Sequence, residues 1–219
     1  MKLKLILLFL STSFFIEAKA QTGIPFAGEI REFQHQDSLN FPKPGGILFI
    51  GSSSIRYWAD LEQRFAGKPV IKRGLGGSKL MQWAQYFIPY MVIPYQPKKI
   101  FIYAGENDFL EGRTAVQVTD DFKKVWETIH EKLPDTKIYY MAIKGSPSRL
   151  KYINEMYLCN KLVKAYIDTR PNTKYLDVSS VLLKKDTMFP DSSLFKPDYL
   201  HLNSKGYDKW QKVLNEYVK

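Results

Sequence analysis

Cysteine is nearly absent. Cys159 is the only one in 219 residues, so the chain has no intramolecular disulfide framework and no cysteine cluster for structural zinc. Histidine is almost as scarce, with only His35, His130 and His201, and a dedicated metal site is not expected from so few. No apolar run reaches the roughly 20 residues that a membrane span requires, so stable membrane insertion is not expected either. The glycines between Arg73 and Lys79 lack the Gly-Lys-Ser/Thr ending of a phosphate-binding loop and the Gly-x-Gly-x-x-Gly spacing of a dinucleotide turn. No cofactor is therefore indicated.

Lysine and arginine number 32 against 22 acidic residues, a formal net charge of +10. No dense basic block interleaved with aromatics marks a nucleic-acid face, so the surplus reads as a solvated basic surface. The alternative reading is attraction to an anionic wall polymer or a lipid headgroup.

The first twenty residues have the form of a secretory signal: Met1 to Lys4 is basic, Leu5 to Ile16 is largely apolar, and Ala18-Lys19-Ala20 is a small-x-small cleavage site. A secreted or periplasmic protein starting at Gln21 is expected. No cysteine follows the apolar run, so a lipoprotein anchor is not. Residues 21–219 are long enough for one α/β domain with a sizeable core.

Short apolar runs alternate with amphipathic stretches, the pattern of a parallel sheet with crossover helices. The expected strands are Ile47 to Ile50, Val70 to Lys72, Ile100 to Ala104, Lys137 to Ile143 and Lys174 to Val178. Leu80, Trp83, Ala84, Phe87 and Ile88 mark one helix face; Val118, Phe122, Val125, Trp126, Ile129 and Leu133 mark another. Their tryptophans are expected in the core. A last helix, carrying Tyr207, Trp210, Val213, Leu214 and Tyr217 on one face, is expected to start at Asn203 or Ser204 as N-cap. A short helix is expected around Glu29 to Phe33, and a long loop from Ser179 to Lys196. Cys159 reads as a buried structural thiol.

Four strings stand against this frame: Gly51-Ser52-Ser53-Ser54, Arg73-Gly74-Leu75-Gly76-Gly77, Gly105-Glu106-Asn107-Asp108, and Asp198-Tyr199-Leu200-His201. The first three each follow the carboxyl end of an expected strand, where open α/β sheets bind ligands. Together they offer a serine, backbone and amide donors, and a histidine with a carboxylate three residues before it, which are the parts acyl transfer needs. Imidazole titrates near neutrality, which suits His201 to take and return a serine proton. Neither His35 nor His130 has a carboxylate so spaced.

On these four strings the chain resembles the SGNH hydrolases, also called the GDSL-type esterase and lipase superfamily, over most of its length. The first string reads Gly-Ser-Ser-Ser where the family has Gly-Asp-Ser, and Lys72 stands where the second often has Asn. The register of the motif selects Ser53 among three adjacent serines. The resemblance implies a catalytic triad of Ser53, Asp198 and His201, and an oxyanion hole made by the backbone N–H groups of Ser53 and Gly77 with the side-chain amide of Asn107. It also implies a flavodoxin-like three-layer α/β/α sandwich with a five-stranded parallel sheet in the order 2-1-3-4-5. Asp108 is expected to cap or fix its loop. Arg56, Tyr57, Trp58 and Phe109 are left between pocket lining and core packing.

The expected activity is hydrolysis of short-chain, notably acetyl, esters on a small molecule, a carbohydrate or a wall polymer, through an acyl-enzyme. Cleavage of lysophospholipids or thioesters with longer acyl chains is the alternative within enzymes. Outside enzymes, the serine-rich turn could cradle the phosphate of FMN, or the site could be a carbohydrate binder.

Overall fold

The computed structural model describes residues 23–219; the signal segment Met1 to Ala20 and the expected start at Gln21 lie outside the described residues. Five strands, β1 (Ile47–Gly51), β2 (Val70–Gly74), β3 (Lys99–Tyr103), β4 (Lys137–Met141) and β5 (Thr173–Leu176), form one parallel sheet in the order 2-1-3-4-5. The helices are α1 (Ala27–Leu39), α2 (Ser53–Arg56), α3 (Leu61–Arg64), α4 (Leu80–Gln82), α5 (Ile88–Met91), α6 (Ala115–Lys132), α7 (Ile153–Ile167) and α8 (Ser204–Leu214).

A strand buried on both faces has no polar side to alternate with, and β1 is buried at every position. Its period of two still divides it. Leu48 and Ile50 join a core with α1 and α4 to α7, whereas Ile47 and Phe49 join a second with Trp58, α3 and α8. Helices thus cover both faces, giving the three-layer α/β/α sandwich. Gly51 closes β1 because a Cβ there would stand 1.8 Å from the Tyr103 carbonyl oxygen. That close approach lets the chain turn out of the sheet at Ser52.

Helix α1 is longer than the Glu29 to Phe33 segment expected from the sequence. It is pinned to β2 by the buried set of Asp37, Arg73 and Tyr95: Arg73 pairs with Asp37, and its Nε donates to the Tyr95 hydroxyl at 2.7 Å. The second apolar periodicity is one helix, α6, capped by Thr114 and Gln117 in a reciprocal capping box. The first is broken into α4, a π-helical turn at Trp83–Phe87, and α5. Pro89 follows that turn; it has no N–H to donate, and its ring would press on the preceding turn of a regular α-helix.

Strand β4 ends at Met141 rather than Ile143. Ile143 leaves the ladder because the Asn160 side chain takes both its backbone groups, accepting from its N–H at 2.9 Å and donating to its carbonyl at 2.8 Å. Asn203 is the N-cap of α8, accepting from the Gly206 N–H. The Ser179 to Lys196 stretch holds two short 3₁₀ turns, Ser180–Leu182 and Ser192–Leu194, and a bridge between Leu183 and Pro190. All four tryptophans are buried. Among the described residues no helix is long and apolar enough to cross a membrane.

Cys159 is fully buried, and burial pushes its thiol up to about 12. A thiol that holds its proton is a poor nucleophile. Iodoacetamide at pH 8 is therefore expected to leave the native protein unmodified and to add one carbamidomethyl group only after unfolding, as read by intact mass.

Candidate active site

Three loops meet because β1 lies between β2 and β3, with Gly51 in register with both Gly74 and Tyr103. The loops after these strands carry Ser53, Gly77 and Asn107 and rise side by side at the carboxyl edge of the sheet.

Leaving β1, the chain enters α2 at Ser53. Ser52 and Ser54 are buried, the Ser52 N–H held by the Tyr103 carbonyl at 2.9 Å and the Ser54 carbonyl by the Tyr207 hydroxyl at 2.9 Å. Ser53 is only half-buried, and its Oγ lies 3.0 Å from Nε2 of His201. The fold thus separates three chemically identical neighbours, leaving one hydroxyl that reaches a base. As the first helical residue Ser53 also has an N–H with no partner in the helix.

His201 comes from the loop before α8, 148 residues away in sequence. Its Nδ1 lies 2.7 Å from Oδ2 of Asp198, while Oδ1 accepts the backbone N–H groups of Leu200 and His201, both at 2.9 Å. One carboxylate therefore folds the turn and orients the ring. The turn holds Tyr199 at φ +56°, a left-handed conformation that costs a tyrosine about 1–2 kcal/mol. Desolvation raises the Asp198 pKa, but the bonds from the His201 ring and the two backbone N–H groups outweigh it and bring the carboxyl down to about 2. Because the native value lies below the ordinary one, the stabilisation is complete above pH ~4 and is lost as pH falls through about 2. Asp198 is thus ionised throughout the pH range in which an imidazole changes charge.

Gly77 adopts φ +85° with open space where a Cβ would point, so glycine is needed there for backbone conformation and not for room. The Asn107 amide donates one N–H to the Ser78 carbonyl at 3.0 Å, which ties the second loop to the third and leaves the other amide N–H free of that bond. Asp108 is fully buried and its carboxylate accepts the N–H groups of Leu80 and Met81, at 2.9 and 3.3 Å. It caps α4. Burial raises its pKa despite those two bonds.

The four residues left open resolve differently. Trp58 and Phe109 are core. The Tyr57 and His201 rings meet in a T-shaped pair, centroids 4.8 Å apart, and the Lys196 ammonium lies 5.4 Å from the Tyr57 ring centroid. Arg56 packs against Gly76 and pairs with Glu29 at 3.2 Å. Among the described residues no group of three or more His, Cys, Asp or Glu side chains could hold a metal ion. A buried pair, Glu106 and Lys144, was not legible from the sequence. Its one signal was a lysine immediately after an apolar strand.

Residues 50–209 match the model of the GDSL-like lipase/acylhydrolase family. The subunit alpha1 of platelet-activating factor acetylhydrolase IB from Bos taurus is 25% identical over 167 residues, covering 74% of this chain and 69% of that protein. Among solved structures, a candidate platelet activating factor protein from Streptococcus pneumonia superposes with a TM-score of 0.77 at 20% identity, over 88% of this chain and 92% of that one. A GDSL-like lipase from Bacteroides thetaiotaomicron superposes with a TM-score of 0.71 at 15% identity, over 86% and 96%. At these identities the two superpositions are likenesses of fold. The family model spans most of the chain and all four strings, and with the parallel sheet in the order 2-1-3-4-5 it places the chain in the GDSL-like lipase/acylhydrolase family, whose class of chemistry is ester hydrolysis.

Proposed function

We propose that the chain is an exported serine esterase that removes short acyl groups, acetyl foremost, from a carbohydrate or wall-polymer alcohol. The observation that carries it is the unbroken run from Ser53 Oγ to His201 Nε2 at 3.0 Å and from His201 Nδ1 to Asp198 at 2.7 Å. In this reading His201 takes the Ser53 proton as Oγ bonds to the ester carbonyl carbon. Asp198 holds the ring and stabilises the imidazolium. The carbonyl oxygen gathers negative charge and is met by the N–H groups of Ser53 and Gly77 and by the Asn107 amide. Proton return to the departing alkoxide leaves an acyl-serine, which water, activated by the same histidine, then hydrolyses. Every proton and electron pair moves among substrate, water and the chain's own groups.

The acetyl preference draws support from the bovine relative, which its name describes as an acetylhydrolase. That name also includes platelet-activating factor, which favours the second reading, an acylhydrolase for lysophospholipid-like or longer-chain esters. A ladder of p-nitrophenyl esters from acetate to long acyl chains separates them. Rates falling steeply beyond acetate or butyrate are expected; rates that climb with chain length would sink the short-acyl reading and establish the other. Export is tested by N-terminal sequencing of protein from the culture medium or periplasm, where Gln21 is the expected first residue.

A further inference from the structure

Beside Asn107 in the chain, at Glu106, a charged pair is shut away from water. The Lys144 side chain is 0% exposed and that of Glu106 5%, and the lysine Nζ donates to both carboxylate oxygens, at 3.0 and 2.8 Å. The Tyr103 hydroxyl donates to the same carboxylate at 2.7 Å. Burial and the adjacent Glu106 charge push the Tyr103 phenol well above its ordinary pKa, so it stays a donor. Taking two charges out of water costs several kcal/mol per ion, and apolar pairs of similar volume often do as well for stability. What the pair supplies in return is a geometry fixed by charge-assisted bonds.

That geometry reaches each of the three catalytic segments. Glu106 is the residue before Asn107, so its anchored carboxylate fixes the backbone on which the amide is mounted. Tyr103 holds the nucleophile's turn through its backbone, its carbonyl accepting the Ser52 N–H at 2.9 Å, while its hydroxyl is held by Glu106. Lys144 opens the segment 144–148, whose Ser148 N–H donates to the Tyr199 carbonyl at 3.1 Å, between Asp198 and His201. The Phe195 ring of that same loop lies 5.9 Å from the Lys144 ammonium.

We propose that Glu106, Lys144 and Tyr103 are positioning residues for the esterase reaction, a buried polar brace that sets the nucleophile, the amide donor and the histidine loop against one another. The proposal rests on the esterase reading above.

The test compares wild type, Tyr103→Phe, Lys144→Met, and Glu106→Gln with Lys144→Met, in p-nitrophenyl acetate hydrolysis well below each protein's Tm. Lys144→Met alone strands a buried carboxylate and is expected to lower both Tm and kcat. The double variant removes both charges while keeping their volume, so Tm is expected to recover while kcat stays down about 10- to 100-fold with KM within about twofold of wild type. Tyr103→Phe deletes one oxygen and is expected to lower kcat with KM little changed. If kcat returns with Tm in the double variant, the pair is only structural and the proposal falls. Where the double variant does not fold, wild-type kcat in Tyr103→Phe overturns it instead. Ser53→Ala in the same assay keeps the two readings apart: full activity there sinks the esterase assignment itself, whereas an inactive Ser53→Ala beside fully active brace variants sinks only the brace.

Discussion

Ser53→Ala is expected to lower kcat by about 10⁴- to 10⁶-fold, to background in an ordinary assay, with Tm and the circular dichroism spectrum unchanged. The size follows from the role proposed for Ser53: without its Oγ there is no atom to carry the acyl group, and His201 has no proton to take. The unchanged fold follows from the structure, because Ser53 is half-buried and its hydroxyl faces His201 rather than the core. Since the two side chains act as one unit, His201→Ala should cost about as much, and the double variant little more than either alone. The neighbouring serines provide the control. Ser52 is buried with its backbone on β3, so Ser52→Ala should keep most of its turnover. A mass shift from a fluorophosphonate probe is expected on the peptide holding Ser53; it should vanish in Ser53→Ala and persist in Ser52→Ala. Purified Ser53→Ala with more than about a tenth of wild-type kcat would rule out the assignment.

Asn107→Ala is expected to lower kcat by about 10²- to 10³-fold, about 2.7–4 kcal/mol of transition-state stabilisation, with KM little changed. The split follows because the oxyanion exists only in the transition state, so its donor adds nothing to ground-state binding. The structure adds a second consequence. The amide also donates to the Ser78 carbonyl at 3.0 Å, a bond that links two loops, so Asn107→Ala should lose about 1 kcal/mol of folding stability as well. Asn107→Asp preserves the shape but presents acceptors to both the Ser78 carbonyl and the developing oxyanion. It should be worse than alanine on both counts. Denaturant unfolding alongside steady-state kinetics separates the two effects, and wild-type kcat in a folded Asn107→Ala protein would remove Asn107 from the oxyanion hole.

Much of this is legible in the sequence because the relevant physics is local. A parallel strand buried on both faces must be apolar along its length, which exposed β1 and β3 as short runs. An amphipathic helix must repeat its apolar residues every three or four positions, which exposed α6 and α8. The turns that carry the site announced themselves through glycine, since Gly77 sits at a positive φ that other residues rarely adopt. Local rules failed where a distant partner decided. Strand β4 stops two residues early because Asn160, from α7, captures the backbone of Ile143. The helix expected through Trp83 is widened to a π turn ahead of Pro89, a proline that the apolar periodicity alone did not weigh.

By itself, then, the sequence determined the fold class, the sheet order through family resemblance, and the residue types at the rim. Which of three adjacent serines meets a base was chosen from the motif's register; the tertiary structure brings His201 to Ser53 and not to Ser52 or Ser54. The structure also decided that Tyr57 walls His201 while Trp58 packs the core, and that Glu106 and Lys144 are partners. The reason is one of range. Hydrophobic periodicity and turn chemistry act over a few residues and can be read along the chain, whereas hydrogen bonds and charge pairs act over about 3 Å in space and join residues 38 or 148 positions apart.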